Sequence, residues 1–495
     1  AQIDAIRSAS IPTQIFSRHH ACEALNLWAG ADWLWRQTGE SRWLADRAIA
    51  DAYFESQAGT DVPLTGLTEG YASYLEVVLE WMLLSCPERI ADDTHIRLWA
   101  ERVLGLCTNM GQLVLGPQTD NGRYPYHLLR KLAFLLNDGR FLLASNLREH
   151  QVKAGIDRVL QFSAGQAYAG DVEASEPSGD PEMTIYPVNE RLRSWQAPSI
   201  AADRGFDRAV ARSGWHADSD YLMIIGMRSG GKSLPNVGAL AAYERFGQRL
   251  ITSEAVPLFP HSASAWRHST VTLGVGGLGF GMAEGAEILT EREIAGGRWL
   301  AFRVTVGSSA WTRQLYWKPS AFLLVIDHVT LPSQDGQSAN DQPLHLGVNW
   351  RCGGSLLSID GGLATLDLGP GAAGRFHVEV SGNLSLESEH NTYPAIGAPP
   401  GTTPLTETML HATVDPCDHH NTAEVATLLH ADTTTNRPQY SLRGHAGNWR
   451  IEGTHETHSI RGDAERGEME IEIGEPGTRE TVIREPETGE PDSSE

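Results

Sequence analysis

The chain has 495 residues, 41% of them hydrophobic, 14 tryptophans and a formal charge of −23. Such a length calls for two or three domains rather than one core, and no apolar run approaches the ~20 residues needed to span a bilayer. The charge argues against a nucleic-acid partner, which needs clustered Lys and Arg, and it repels polyanions at long range, so any anion-binding site must carry its own cation.

Helical spacing dominates the first third. His20–Trp35, Ser41–Ser56, Tyr71–Leu84, Thr94–Leu115, Tyr126–Leu136 and Phe141–Phe162 place apolar residues at i, i+3, i+4, with breaks such as Ser85-Cys86-Pro87 and Gly116-Pro117 between them. Stacked hairpins of this kind predict an α/α toroid over residues 1–165, short enough to be incomplete. Residues 166–204, rich in Gly, Pro, Ser and acids, read as a linker crossing to a sheet.

From 205 to 474 the pattern is that of strands. Tyr221–Gly226, Ala239–Phe246, Thr270–Val275, Trp299–Val306, Arg313–Trp317 and Phe322–His328 are divided by Gly-rich turns at Gly274–Gly281 and Gly296–Gly297. Gly-Pro interruptions at 369–372 and 397–404 divide sheets or sandwiches. The expected class is α+β multidomain, a helical toroid followed by antiparallel β-sandwich, with 475–495 as an acidic flexible tail and no internal repeat.

One motif points elsewhere. Gly226 to Ser233 fits G-x-x-x-x-G-K-[ST], and Phe322–Asp327 would supply the second aspartate of a nucleotide hydrolase. A phosphate loop must open into a helix inside a parallel βαβ unit, yet Pro235 and Gly238 follow at once and Ala239–Phe246 is too short for the crossover. The strand reading is therefore preferred. Cys22, Cys86, Cys107, Cys352 and Cys417 form neither a disulfide framework nor a zinc pattern. His411, Cys417, Asp418, His419, His420 and His430 are metal-binding residue types at spacings that match no metal site.

The order Arg212-Ser213-Gly214-Trp215, Asp220-Tyr221-Leu222, Gly230-Gly231, Phe246-Gly247-Gln248-Arg249-Leu250, Arg267-His268-Ser269-Thr270-Val271, Trp311-Thr312-Arg313 and Phe322–Val329 resembles, over residues 205–330, the heparinase II/III-like polysaccharide lyases. In that family an R-S-x-W strand leads to a Gly-Gly turn with a His-x-His-x-Asp-like cluster and later to an H-N-T-V strand. The resemblance implies a lyase that cleaves a uronate-containing polysaccharide by β-elimination, with an acidic polysaccharide or oligosaccharide as partner. It also implies a secreted or periplasmic location, where such polymers are met. The chain departs from the pattern at Lys232-Ser233-Leu234-Pro235-Asn236, which replaces the histidine cluster, and at Ser269, which replaces the asparagine of H-N-T-V. No cofactor is expected, and no metal ligand set is complete. Lys232 and Asn236 are left as carboxylate binders and His268 as the histidine of the sheet, unless the site is inactive or adapted to another sugar.

β-Elimination needs a neutraliser for the carboxylate, a base for the carbon acid and an acid for the leaving oxygen. The resemblance puts a tyrosine on a toroid loop leading into a helix. Thr68-Glu69-Gly70-Tyr71-Ala72-Ser73-Tyr74 occupies that place, making Tyr74 the proton-transfer candidate, Tyr71 its alternative and Glu69 a substrate contact. Asp120-Asn121-Gly122-Arg123-Tyr124-Pro125-Tyr126-His127, with Arg130 a turn later, is a second cluster at a helix start. There His127 is a catalytic candidate, and Asn121, Tyr126 and Arg130 are binding candidates. Two rival readings remain, a glycoside hydrolase using Glu69 and Asp120 and a non-catalytic glycan-binding or structural protein.

Overall fold

A computed structural model describes residues 18–58, 71–109, 125–152, 172–177, 182–188, 200–201, 203–227, 237–252, 268–275, 278–279, 283, 285–306, 309–330, 344–369, 374–381, 384–393, 405–414, 422–432, 439–463 and 467–474. Among them are six α-helices: α1 (Arg18–Thr38), α2 (Arg42–Ala58), α3 (Tyr71–Ser85), α4 (Thr94–Leu106), α5 (Pro125–Leu136) and α6 (Gly139–Val152). Helix α4 is capped by Asp93, whose carboxylate accepts from the backbone N–H groups of His95 and Ile96 at 3.0 Å. It stops at Leu106 rather than running to Leu115 as the apolar spacing suggested. Cys107 turns extended (φ −74°, ψ 127°), and the carbonyls of the helix end are taken up from another element, as described below.

The remaining elements form three antiparallel sheets. The ten-stranded sheet contains β1 (Glu182–Pro187), β2 (Phe206–Arg212), β3 (Tyr221–Ile225), β4 (Leu240–Arg245), β5 (Gln248–Ile251), β6 (Val271–Val275), β7 (Leu278–Gly279), β12 (Leu344–Gly353), β16 (Leu384–Tyr393) and β17 (Leu405–Val414). The eight-stranded sheet contains β8 (Ala286–Ile294), β9 (Gly297–Val306), β10 (Ser309–Lys318), β11 (Phe322–Thr330), β13 (Ser355–Asp360), β14 (Leu363–Asp367), β15 (Arg375–Ser381) and β18 (Thr422–Asp432). A four-stranded meander, β19 (Tyr440–His445), β20 (Asn448–Gly453), β21 (Thr457–Asp463) and β22 (Glu468–Gly474), completes the set. Strand β1 lies inside the stretch that reads as a linker. Its Met-Thr-Ile-Tyr run is short and flanked by turn residues, and it is ordered by pairing with β2 from Glu182↔Arg212 onward.

Period-2 alternation assigns the layers. On β3, Tyr221, Met223 and Ile225 pack into a core with the helices, while Leu222 and Ile224 enter a second core shared with the eight-stranded sheet. On β10 and β11, Leu315, Trp317, Leu323 and Val325 face that second core. Tyr316, Phe322, Leu324 and Ile326 face a third core with the meander. The order of layers is helices, ten-stranded sheet, eight-stranded sheet, meander. Strand β3, covered on both faces, is buried along its whole length. Because β3 pairs antiparallel with β2 and β4, the parallel βαβ unit required by the phosphate-loop reading is absent there. Asp327, its second aspartate, is instead the partner of Arg313 at 2.7 and 2.9 Å inside the second core. No described helix is long and apolar enough to cross a membrane.

Candidate functional site

The helix-facing side of the ten-stranded sheet changes character along its strand order. Over β2 to β4 it is covered by helices. Further along, register carries the same face onto Glu244 and Arg249, then onto Asn349 and Arg351 of β12, His411 of β17 and Glu387 and Glu389 of β16. Asn349 and Arg351 alternate with the core residues Leu346, Val348, Trp350 and Cys352, a polar face laid on a buried strand. Arg351 grips Glu407 at 2.7 and 3.0 Å, and His411 Nδ1 meets Asn349 Oδ1 at 2.8 Å. His411 Nε2 lies 4.0 Å from Glu389. An imidazole oriented by an amide and backed by a carboxylate is an arrangement that can take up and release a proton. The sequence named His411 only as part of a metal-type cluster. That cluster is divided, since His411 is on the ten-stranded sheet while His430 is on the eight-stranded sheet, stacked on His377.

His268 is buried, 2% exposed, three residues ahead of β6. Its neighbour Ser269 accepts the Arg351 N–H through Oγ at 2.9 Å. Arg313 joins the Ser269 and Gly238 carbonyls, both at 2.9 Å, and Gly238 donates to Ile225. Gly238 has φ +73°, and a Cβ there would meet the Trp311 ring at 2.5 Å, so the position demands glycine. His268 therefore sits at the Ile225 end of β3. Of the other expected site residues, Lys232 and Asn236 belong to the 228–236 segment. Those two residues, with Glu69 and Asn121, lie outside the described residues. Tyr71 and Tyr74 fall in the first turn of α3, and Tyr126 and His127 in that of α5; their side chains lie outside the described set. Arg130 is half-buried, its guanidinium 6.0 Å from the Phe134 ring. Its neighbour Lys131 is buried and bound to Glu76 and Glu80 of α3. Burial opposes that charge, but the two carboxylates outweigh it and raise the ammonium pKa.

At the opposite end of β3 the helices and the sheet are clamped together. Arg212 Nη2 donates to the carbonyls of Gly105 and Cys107 at the end of α4, at 3.1 and 2.7 Å, and Nη1 donates to Asn109 at 2.9 Å. Its guanidinium lies between the Trp215 and Tyr221 rings. Crowding by protein atoms lowers the Arg212 pKa and pushes Tyr221 well up. Asp220, next in the same hairpin, ties the two large sheets together, accepting from Trp317 Nε1 at 3.2 Å and Ser320 N at 2.9 Å. Burial raises its pKa despite Arg245 nearby. The R-S-x-W and Asp-Tyr-Leu segments thus act here as ties between layers. Beside the clamp is a cavity of about 360 Å³ whose walls include Glu101, Arg140, Thr184, Tyr186, Trp215 and His216.

No family model and no curated protein matches the sequence. Solved structures do. The chain is similar to a heparan sulfate lyase mutant from Pedobacter heparinus, with TM-score 0.61 and 12% identity, covering 93% of this chain and 68% of that one. It is also similar to a heparinase III gene product, with TM-score 0.63 and 10% identity over 96% of this chain and 68% of the other. A further crystal structure of heparinase III gives 0.60 and 10% over 93% and 68%. Helices packed on a stack of antiparallel sheets, in this order over nearly the whole chain, give the protein a heparinase-like fold.

Proposed function

We propose that the protein is a polysaccharide lyase that cleaves a uronate-containing polysaccharide by β-elimination, acting outside the cytosol. The observation that carries the reading is the polar row of Asn349, Arg351, Glu407 and His411, on the face of the ten-stranded sheet that elsewhere packs against helices, in a heparinase-like fold. In this reading residues 1–165 form an incomplete toroid, 166–204 the crossing, 205–474 the stacked sheets as a sandwich, and 475–495 a tail. The cleft lies between toroid and sandwich.

The roles follow from the chemistry. Tyr74, with Tyr71 as alternative, removes the proton beside the carboxylate and returns one to the leaving oxygen. Lys232 and Asn236 neutralise the carboxylate, supplying the local cation that a chain of charge −23 needs. His127 from the helices and His268 and His411 from the sheet assist proton transfer, while Glu69, Asn121, Tyr126 and Arg130 bind the flanking sugar. The test is a panel of uronic-acid polysaccharides followed by ultraviolet absorbance of the unsaturated uronate product. Absorbance growth with one member supports the reading. New reducing ends without that absorbance mean hydrolysis, and binding without cleavage means a glycan-binding protein.

A further inference from the structure

The cavity beside Arg212 is separate from the site just proposed. Arg212 pairs with Tyr221 at the start of β3, whereas His268 belongs to the Ile225 end, about 13 Å away at ~3.3 Å per residue. The cavity opens between α4, the start of α6, the 172–177 segment, β1 and the 213–219 loop. Its volume, about 360 Å³, is in the range of small-molecule sites and accommodates one sugar ring.

Every cation at its wall is already matched. Arg140 is held by Asp138 and Glu101; the hydrogen bonds to Asp138, ahead of the opposing burial, and those to Glu101 raise its pKa. Arg212 gives its donors to two carbonyls and Asn109, and His216 Nε2 faces Glu176 at 3.0 Å. A uronate or sulfate entering here would find carboxylates and committed guanidiniums, with no cation to receive it. What the walls do offer is hydroxyls from Thr184 and Ser219, the Ser213 hydroxyl beyond its bond from Asp220 N–H, the outer carboxylate edges of Glu101 and Glu176, and the apolar surface of Trp215 and Leu104. Hydroxyl-bonding groups around an aromatic surface suit a polyol ring. We propose that this cavity is a second carbohydrate site, taking an uncharged pyranose unit by hydroxyl hydrogen bonding and aromatic contact. It does not depend on the lyase reading, because its ligand carries no carboxylate and its readout is binding.

The experiment uses the full chain and four probes: the methyl glycosides of glucose, N-acetylglucosamine, glucuronic acid and glucosamine. Saturation-transfer NMR and calorimetry at millimolar concentration compare wild type with Thr184→Trp. This exposed wall residue can be enlarged without touching a core, so the indole occupies the cavity. A second variant, Glu176→Gln, removes a rim charge while keeping its hydrogen-bonding reach. The expected result is binding of one or both uncharged glycosides, weaker binding of glucuronide and glucosaminide, and a loss of about tenfold or more in Thr184→Trp. Glu176→Gln should keep the uncharged ligand and widen its preference over the cationic one, while narrowing its preference over the glucuronide. No binding of either uncharged probe, tighter binding of the glucuronide, or equal binding by Thr184→Trp would overturn the proposal, whatever the lyase assay gives.

Discussion

The Arg212 guanidinium lies 3.7 Å from the centre of the Trp215 ring while donating to the Gly105 and Cys107 carbonyls. A helix end leaves its last carbonyls without intrahelical partners, and here a residue from the sheet supplies them. The stacked, forked geometry is one that lysine cannot reproduce. Arg212→Lys should therefore cost about 2 kcal/mol of stability, as for buried carbonyls left poorly paired. Urea unfolding followed by tryptophan fluorescence measures it. An unchanged midpoint would show that the helices dock without the clamp.

Arg313 and Asp327 form a fully buried pair across neighbouring strands, each side chain 1% exposed. Removing one charge strands the other in the core, so Asp327→Asn should destabilise by about 3–5 kcal/mol. Replacing both, Arg313→Met with Asp327→Leu, should cost less than Asp327→Asn alone. A double variant worse than the single one would contradict this account.

Acid should loosen the outer layers first. His430 packs on His377 and Tyr440. Burial lowers its pKa, and the proximity of His377 and Arg245 adds to this against the pull of Asp432. His458, against Phe322 and Tyr316, is lowered by burial with Lys318 adding and Glu456 opposing. Both imidazoles are neutral when folded and bind a proton more readily when unfolded. Stability is therefore unaffected above the unfolded pKa near ~6.5 and declines as pH falls from there toward the depressed folded values. Asp432, with His377 Nε2 at 3.4 Å, His430 Nδ1 at 3.6 Å and the Gln439 N–H at 3.0 Å, has a lowered pKa because these neighbours outweigh its burial. Its contribution is present above the ordinary carboxylate range and is lost at still lower pH. Denaturant midpoints measured from neutral pH down to mild acid should fall, and the fall should flatten in a His430→Gln, His458→Gln double variant. Parallel slopes for wild type and variant would assign the acid sensitivity to other groups.

Tyr74→Phe deletes only a hydroxyl in the first turn of α3. If that phenol transfers the proton, turnover should fall by roughly 10²–10⁴-fold with little change in stability, measured by product absorbance at saturating polysaccharide. Full activity would pass the role to Tyr71 and then Tyr126.

The sequence makes the elements legible and leaves their contacts obscure. Four of the six helical stretches, with the strands Tyr221–Gly226 and Phe322–His328, recur within a few residues as α1, α2, α3, α5, β3 and β11, whereas α4 ends nine residues before Leu115 and the stretch Phe141–Phe162 is described as helix only to Val152. Strand β1 was missed because its pairing with β2 is a tertiary effect on a stretch full of turn formers. The order of Arg212, Asp220 and Arg313 was visible. Their work as ties was not, because each reaches a partner between 14 and more than 100 residues away. Asn349 was detectable, a polar residue at every-other spacing in an apolar strand, but only the sheet register sets it opposite His411.

The strand order also governs when this chain can mature during synthesis. Strand β12, residues 344–353, lies next to β5, residues 248–251, and β18, residues 422–432, is wedged between β11 and β15. Each large sheet therefore waits for a strand made long after its neighbours, a high-separation closure that is slow and leaves edges open meanwhile. The four-stranded meander, whose pairings are all between consecutive strands, can zip locally, but the face it settles on, built by β9 to β11 together with Ala426 and Leu428, is complete only once β18 is in place. A ribosome-bound chain truncated before residue 422 should recruit chaperones and be cut readily by proteases in its second half, while the helices already seated on β2 to β4 resist.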